Sequence, residues 1–164
     1  MTDSDYQAYF QHIAQTSKDI QHTPGEPGFF AFDFDRFVSA KRKGKTILFI
    51  HPFQGNLAGA KNDNPLDIQR VQWSVLRQFK TNNADDIQRV MRETRAVAIK
   101  ILARMLWHRD EDPEREWCCL LQYFDFDEVE YRQDEIYVDD WTGYRYITPL
   151  SAPVEITMDP SQWL

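Results

Sequence analysis

The stretch NADDIQRVMRETRAVAIKILARML, residues 83–106, decides the fold class. Asn83 is a residue type that caps helices through its side-chain oxygen, and Asp85 and Asp86 follow where the helix dipole favours negative charge. Apolar residues then recur at Ile87, Val90, Met91, Val97, Ala98, Ile101, Leu102, Met105 and Leu106. Steps of three and four gather them into one wide stripe, which predicts a helix of about six to seven turns. Such a stripe needs an apolar sheet to cover. His108 and the charged segment 109–116 close the helix.

The flanking segments supply the sheet. Thr46 to Phe53 is β-branched and aromatic, a buried strand by length and content. Further on, Val71, Trp73, Val75 and Phe79 alternate with polar neighbours, which favours a strand over the helix also traceable through Ile68, Val71, Val75 and Phe79. Trp117 to Tyr131 reads as β, with Phe124 and Phe126 opposite Asp125 and Asp127. Arg132 to Glu135 then reads as a turn, and Ile136 to Leu150 as a second long strand, with Gly143 where a bulge or bend would fall. Pro149, Pro153 and Pro160 direct the tail towards edge or extended conformations.

Upstream, Tyr6, Phe10, Ile13, Ser17 and Ile20 share one helical face, started by Asp3 or Ser4. Residues 23–28 are turn chemistry, and 29–37 reads as a short strand leading into a helical turn that Gly44 ends. The expectation is a single α+β domain over 1–164. It has a mainly antiparallel sheet of about four or five strands, the long amphipathic helix packed on it, and an N-terminal helix.

Composition agrees with a packed domain: 42% of the 164 residues are hydrophobic and 14% aromatic. The longest apolar runs, 47–50 and 117–121, are far shorter than the roughly eighteen residues of a membrane span. The acidic start MTDSDY has no apolar signal core, so the expected setting is the cytoplasm, with no membrane partner. Cys118 and Cys119 are adjacent and lack Cys-x-x-Cys spacing; they read as small core residues on opposite faces of a strand.

Charge is divided along the chain. Residues 1–109 hold 16 Lys and Arg against 11 Asp and Glu, whereas 110–164 hold 3 against 15. A chain with one basic and one acidic portion can meet its own copies head to tail, and a ring is the closed form of that contact. Solvation of exposed faces explains the same acids more simply.

Several residue groups invite chemistry and fall short of it. Gly55 to Lys61 has three residues between its glycines, Ala60 before the lysine, and Asn62 where a phosphate loop carries a hydroxyl. A surface loop over 54–65 is the better reading. Asp125 and Asp127, with Glu128, could hold a divalent cation in a hydrolase, but no lysine follows Lys100 to assist them. His12, His22, His51 and His108 are scattered; His51, at the end of a buried strand, is the most interesting. Arg89, Arg92, Arg95, Lys100 and Arg104 could form a nucleic-acid stripe, yet the net charge of -7 favours a solvated helix face and makes direct nucleic-acid binding unexpected. No catalytic, cofactor or metal residue is assigned. The interaction candidates are Gln54, Asn56 and Lys61 in the loop, Arg89 and Arg92 on the helix, and Asp139 and Asp140 in the acidic turn.

The order of elements is similar to that of small structural proteins of tailed phages and prophages. Tyr9-Phe10 to Ile13-Ala14, the His22-Thr23 turn and the Phe29-Phe30 entry resemble their start. DDWTGY over 139–144, followed by Thr148-Pro149-Leu150, resembles the terminal hairpin of tail-completion and tail-terminator proteins. That resemblance implies an α+β subunit without catalysis or cofactor, forming rings and contacting other tail or neck proteins. Its place would be the cytoplasm during assembly and then the virion or phage-like particle. The competing readings are an acidic interaction module (an inhibitor or adaptor for a basic partner) and, third, a carboxylate metal-dependent hydrolase.

Overall fold

The computed structural model describes residues 3–39, 44–58, 65–80, 83–112, 114, 116–136 and 140–153. In chain order the elements are α1 (Asp3–Thr16), β1 (Phe29–Ala31), α2 (Phe34–Ser39), β2 (Thr46–Ile50), β3 (Gln54–Ala58) and β4 (Leu66–Gln78). They continue with α3 (Ala84–Asp110), α4 (Cys118–Leu121), β5 (Glu130–Ile136) and β6 (Trp141–Pro153). This is an α+β fold. The sheet runs β1-β2-β4-β6-β5, with β3 continuing the line of β2 along β4. All pairings are antiparallel except β1 with β2.

The long helix forms where its spacing requires. Asn83 Oδ1 accepts the Asp86 N–H at 3.0 Å, satisfying a donor that the first turn leaves free. Val90, Thr94, Val97, Ala98, Ile101, Met105 and His108 are buried along its inner face. Thr94 is accommodated because its hydroxyl bonds back to the Val90 carbonyl. Leu106, expected in the core stripe, is instead exposed, because its position lies round the helix from Ile101 and Met105.

The two sheet faces separate by residue parity. On one, Leu48, Ile50, Val71, Trp73, Val75, Tyr146 and Leu150 pack beneath Tyr6, Phe10 and Ile13 of α1 and Val97, Ala98, Ile101 and Met105 of α3. Trp73 stacks on Tyr146 and donates its Nε1–H to Thr148 Oγ1. On the other face, Ile47, Phe49, Leu76 and Trp141 close over Phe30 and Phe37, so α2 covers one end of that face, from β1 across to the start of β6.

Several local expectations give way. Residues 54–58 are not loop but strand, because β4 extends beyond β2 and leaves backbone groups that a sixth strand pairs. Residues 59–64, including Lys61, lie outside the described residues. Cys118 and Cys119 sit on the single turn of α4, with Cys119 exposed, so they do not occupy opposite strand faces. An apolar run as short as 117–121 carries no period that tells helix from strand. Arg132 to Glu135 belongs to β5 rather than to a turn, and β6 starts at Trp141 rather than Ile136. Gly143 causes no bulge: its register with Leu76 and Asp134 is unbroken. It is needed for close approach, since a Cβ there would lie 1.9 Å from the Val75 carbonyl oxygen. β6, despite Pro149 and Pro153, runs between β4 and β5, and beyond β5 the Phe124 bridge continues its flank.

Candidate functional site

Past the reach of α2, the second sheet face turns polar. His51 leaves β2 with its N–H bonded to the Gln72 carbonyl, which holds its ring on the same side as Phe49. Ser74 on β4 faces Arg145 across the β4–β6 ladder, and Asp134 on β5 pairs with Gly143 beside them. Four strands therefore deliver one group each. Ser74 Oγ donates to Asp134 Oδ2 at 2.5 Å, and His51 Nε2 lies 2.6 Å from Ser74 Oγ and 3.4 Å from Asp134 Oδ2. Arg145 completes the cluster with Nη2 at 2.7 Å from Asp134 Oδ1 and Nε at 3.3 Å from Oδ2.

Burial alone would push the Asp134 carboxyl up. The hydrogen bonds from His51, Arg145 and Ser74, with the Arg145 charge, outweigh that and hold it well below the usual carboxylate range. Because the only proton of Ser74 points to the carboxylate, its oxygen accepts from His51 Nε2–H. The histidine thus presents a proton to the serine rather than a base. Ser74 is fully buried, so the network ties β4, β5 and β6 to the residue that leaves β2.

A second polar contact lies inside the helix layer. The Tyr9 hydroxyl of α1 and His108 Nδ1 of α3 share a hydrogen bond at 3.1 Å. Burial pushes the His108 ring down to about 4, helped by Arg104 and His12 and opposed by Asp112, so it is neutral at pH 7. Around it, His12, Trp107 and Trp117 line a cavity of about 230 Å³ with Asp112, Glu114 and Glu116 at its rim.

The charged side chains fall on separate elements. A groove between the end of α1 and α3, formed by cavities of about 540 and 450 Å³, carries Lys18, Lys45, Arg77, Lys100 and Arg104 against Asp19 and Glu93. Lys100 pairs with Asp19 and Arg77 with Glu93, both at 2.7–2.8 Å. At the β5 edge of the sheet, Asp125, Asp127, Glu128 and Glu130 are exposed, with Glu130 paired to Arg70 at 2.8 Å. Asp125 Oδ1 accepts the N–H of Asp127 at 3.0 Å and of Glu128 at 3.3 Å, so these acids cap a turn rather than share a strand face. Among the described residues no three His, Cys, Asp or Glu side chains group so as to hold a metal ion. Nor is any described helix long and apolar enough to cross a membrane.

The interaction candidates disperse. Gln54 and Asn56 lie exposed on β3, with Gln54 Oε1 accepting from Gln72 at 3.1 Å. Arg89 is held by Asp86 and Glu93 along its own helix. Arg92 is exposed, and among the described residues it has no ion-pair partner. Asp140 takes a left-handed conformation (φ 56°) at the entry to β6, where its carbonyl accepts the Phe79 N–H; Asp139 lies outside the described residues. The other cations of the α3 stripe are also engaged: Arg95 lies over Tyr131 and Arg104 over Trp107. His51 was the histidine singled out from sequence. Its partners Ser74, Asp134 and Arg145 were not, although polar Gln72 and Ser74 inside an otherwise apolar strand are a signal that this face is not sealed by a helix. No family model matches the chain, and no curated protein does either.

Proposed function

We propose that the protein is a non-enzymatic assembly subunit of a phage or prophage tail or neck, forming a ring of the tail-terminator kind. One observation carries this reading: its two charge populations lie on different elements. Cations gather round the α1–α3 groove, while the β5 flank exposes Asp125, Asp127, Glu128 and Glu130, the last of them paired with Arg70 at 2.8 Å. Surfaces of opposite sign on separate sides suit a heterologous contact, which closes into a ring when the rotation allows. The buried network of His51, Ser74, Asp134 and Arg145 supports the same reading by holding the sheet rigid between the two surfaces.

Mass photometry and negative-stain microscopy across a salt series test this. The expected result is closed assemblies larger than a dimer at low salt that disperse as salt screens the contact. A species of one mass at every salt concentration, together with failure to bind a tail-tube subunit, would contradict it. The acidic-module reading draws on the same exposed acids. It would be favoured if the protein stayed monomeric and captured a basic protein through Asp127 and Glu130.

A further inference from the structure

The outer side of α3 carries a second pattern, independent of the one that faces the sheet. Arg92, Ala96, Ile99, Ala103, Leu106 and Asp110 are all exposed, Ile99 at 52% and Leu106 at 37%. Their steps of four, three, four, three and four align them in one seam about five turns and roughly 27 Å long. Two large apolar side chains alternate with two small ones, and opposite charges stand at the ends.

We propose that this seam packs against the same seam of a second copy, the two α3 helices running antiparallel about a two-fold axis level with Ile101. Reflection about that level places Ala96 opposite Leu106, Ile99 opposite Ala103 and Arg92 opposite Asp110. Each large side chain meets a small one, so ridges fill the spaces across the axis. Both ends bring a cation to a carboxylate, and the two-fold makes the pairing reciprocal. Arg92 is available for this because no described residue pairs with it. Asp110 is fixed at the solvent surface by Arg109 at 2.7 Å. A parallel arrangement would instead set Arg92 against Arg92 and Ile99 against Ile99. The seam alone covers on the order of several hundred Å² per copy, the range of weak and reversible association. The contact does not need the β5 flank, so it stands apart from the proposed ring.

Sedimentation velocity of the full chain at high salt, where charge-driven assembly is suppressed, isolates the apolar part. A monomer–dimer equilibrium is expected, weakened at least about tenfold by Ile99→Asp with an unchanged unfolding temperature. At low salt, Arg92→Asp and Asp110→Arg each set like charges at both ends of the seam and lower self-association. Mixed together they restore every pairing and form a heterodimer. With Cys118 and Cys119 replaced by serine, Ile99→Cys and Ala103→Cys proteins should cross-link faster in mixture than alone. A chain monomeric at every concentration would overturn the proposal, as would self-association unaffected by Ile99→Asp or charge variants that fail to favour each other. Larger assemblies that survive Ile99→Asp would sink the seam while leaving the ring intact. A dimer that goes no further would do the reverse.

Discussion

The two faces of this sheet are held by different physics. Under α1 and α3 the face is sealed: Trp73, Val75, Leu48 and Ile50 are removed from water, and the stabilising term is apolar burial. On the opposite face α2 covers one end only, and beyond it His51, Ser74, Asp134 and Arg145 satisfy one another. The first arrangement tolerates few voids. The second tolerates no missing partner, because each group left behind keeps its desolvation cost. A sheet can thus be held together on both sides while part of one side stays uncovered by helices.

That contrast can be broken most forcefully on the sealed face. Trp73→Ala empties the space between Phe10 and Tyr146 and should cost about 3–5 kcal/mol in denaturant unfolding. A cost below about 1 kcal/mol would mean that the helix layer does not depend on it. At the junction of the faces, Gly143→Ala must move β6 away from Val75 and should cost about 3 kcal/mol or more. On the open face, Asp134→Asn removes the negative charge that Arg145 pairs with and puts an NH2 donor in place of one acceptor oxygen; a loss of about 2 kcal/mol is expected, reduced by the partial exposure of Arg145. Asn83→Ala removes only a cap and should cost about 1 kcal/mol.

Acid sharpens the same distinction. His108 has a folded pKa below its unfolded value of about 6.5, so the neutral ring stabilises the fold above that pH and the contribution fades as pH falls towards 4. Asp134 is also depressed, and its contribution is complete above the unfolded carboxylate pKa of about 4 and lost only below it. Stability against pH should therefore fall in two stages, the helix layer first. His108→Gln should remove the upper stage and Asp134→Asn the lower. Two stages persisting in either variant would show that the assignments are wrong.

Much of the fold is legible because its signals are local. The α3 stripe, the Asn83 cap and the alternation in β4 each lie within one segment. What escaped was set by neighbours. Arg132 to Glu135 has the composition of a turn and becomes part of β5 because β6 offers it a partner. Gln54 to Ala58 is drawn into the sheet by the overhang of β4. The apolar run at Trp117 is short enough to coil into α4 against α3. The polar site was half visible: His51 stood out at a strand end, but its meeting with Ser74, Asp134 and Arg145 depends on a register across four strands that no single segment encodes. The outer seam of α3 was hidden for another reason, since Leu106 fits the inner pattern in number and departs from it only in angle.

The view that this chain acts by fitting against its neighbours is tested most directly by charge exchange between the groove and the β5 flank. Lys18→Glu with Arg104→Glu reverses the first surface, and Asp127→Lys with Glu130→Lys the second. Measured by mass photometry at low salt, each reversal should abolish assemblies larger than a dimer, and the chain carrying both should regain them. Assemblies indifferent to either reversal, or a wild-type chain that never exceeds a dimer, would contradict the account.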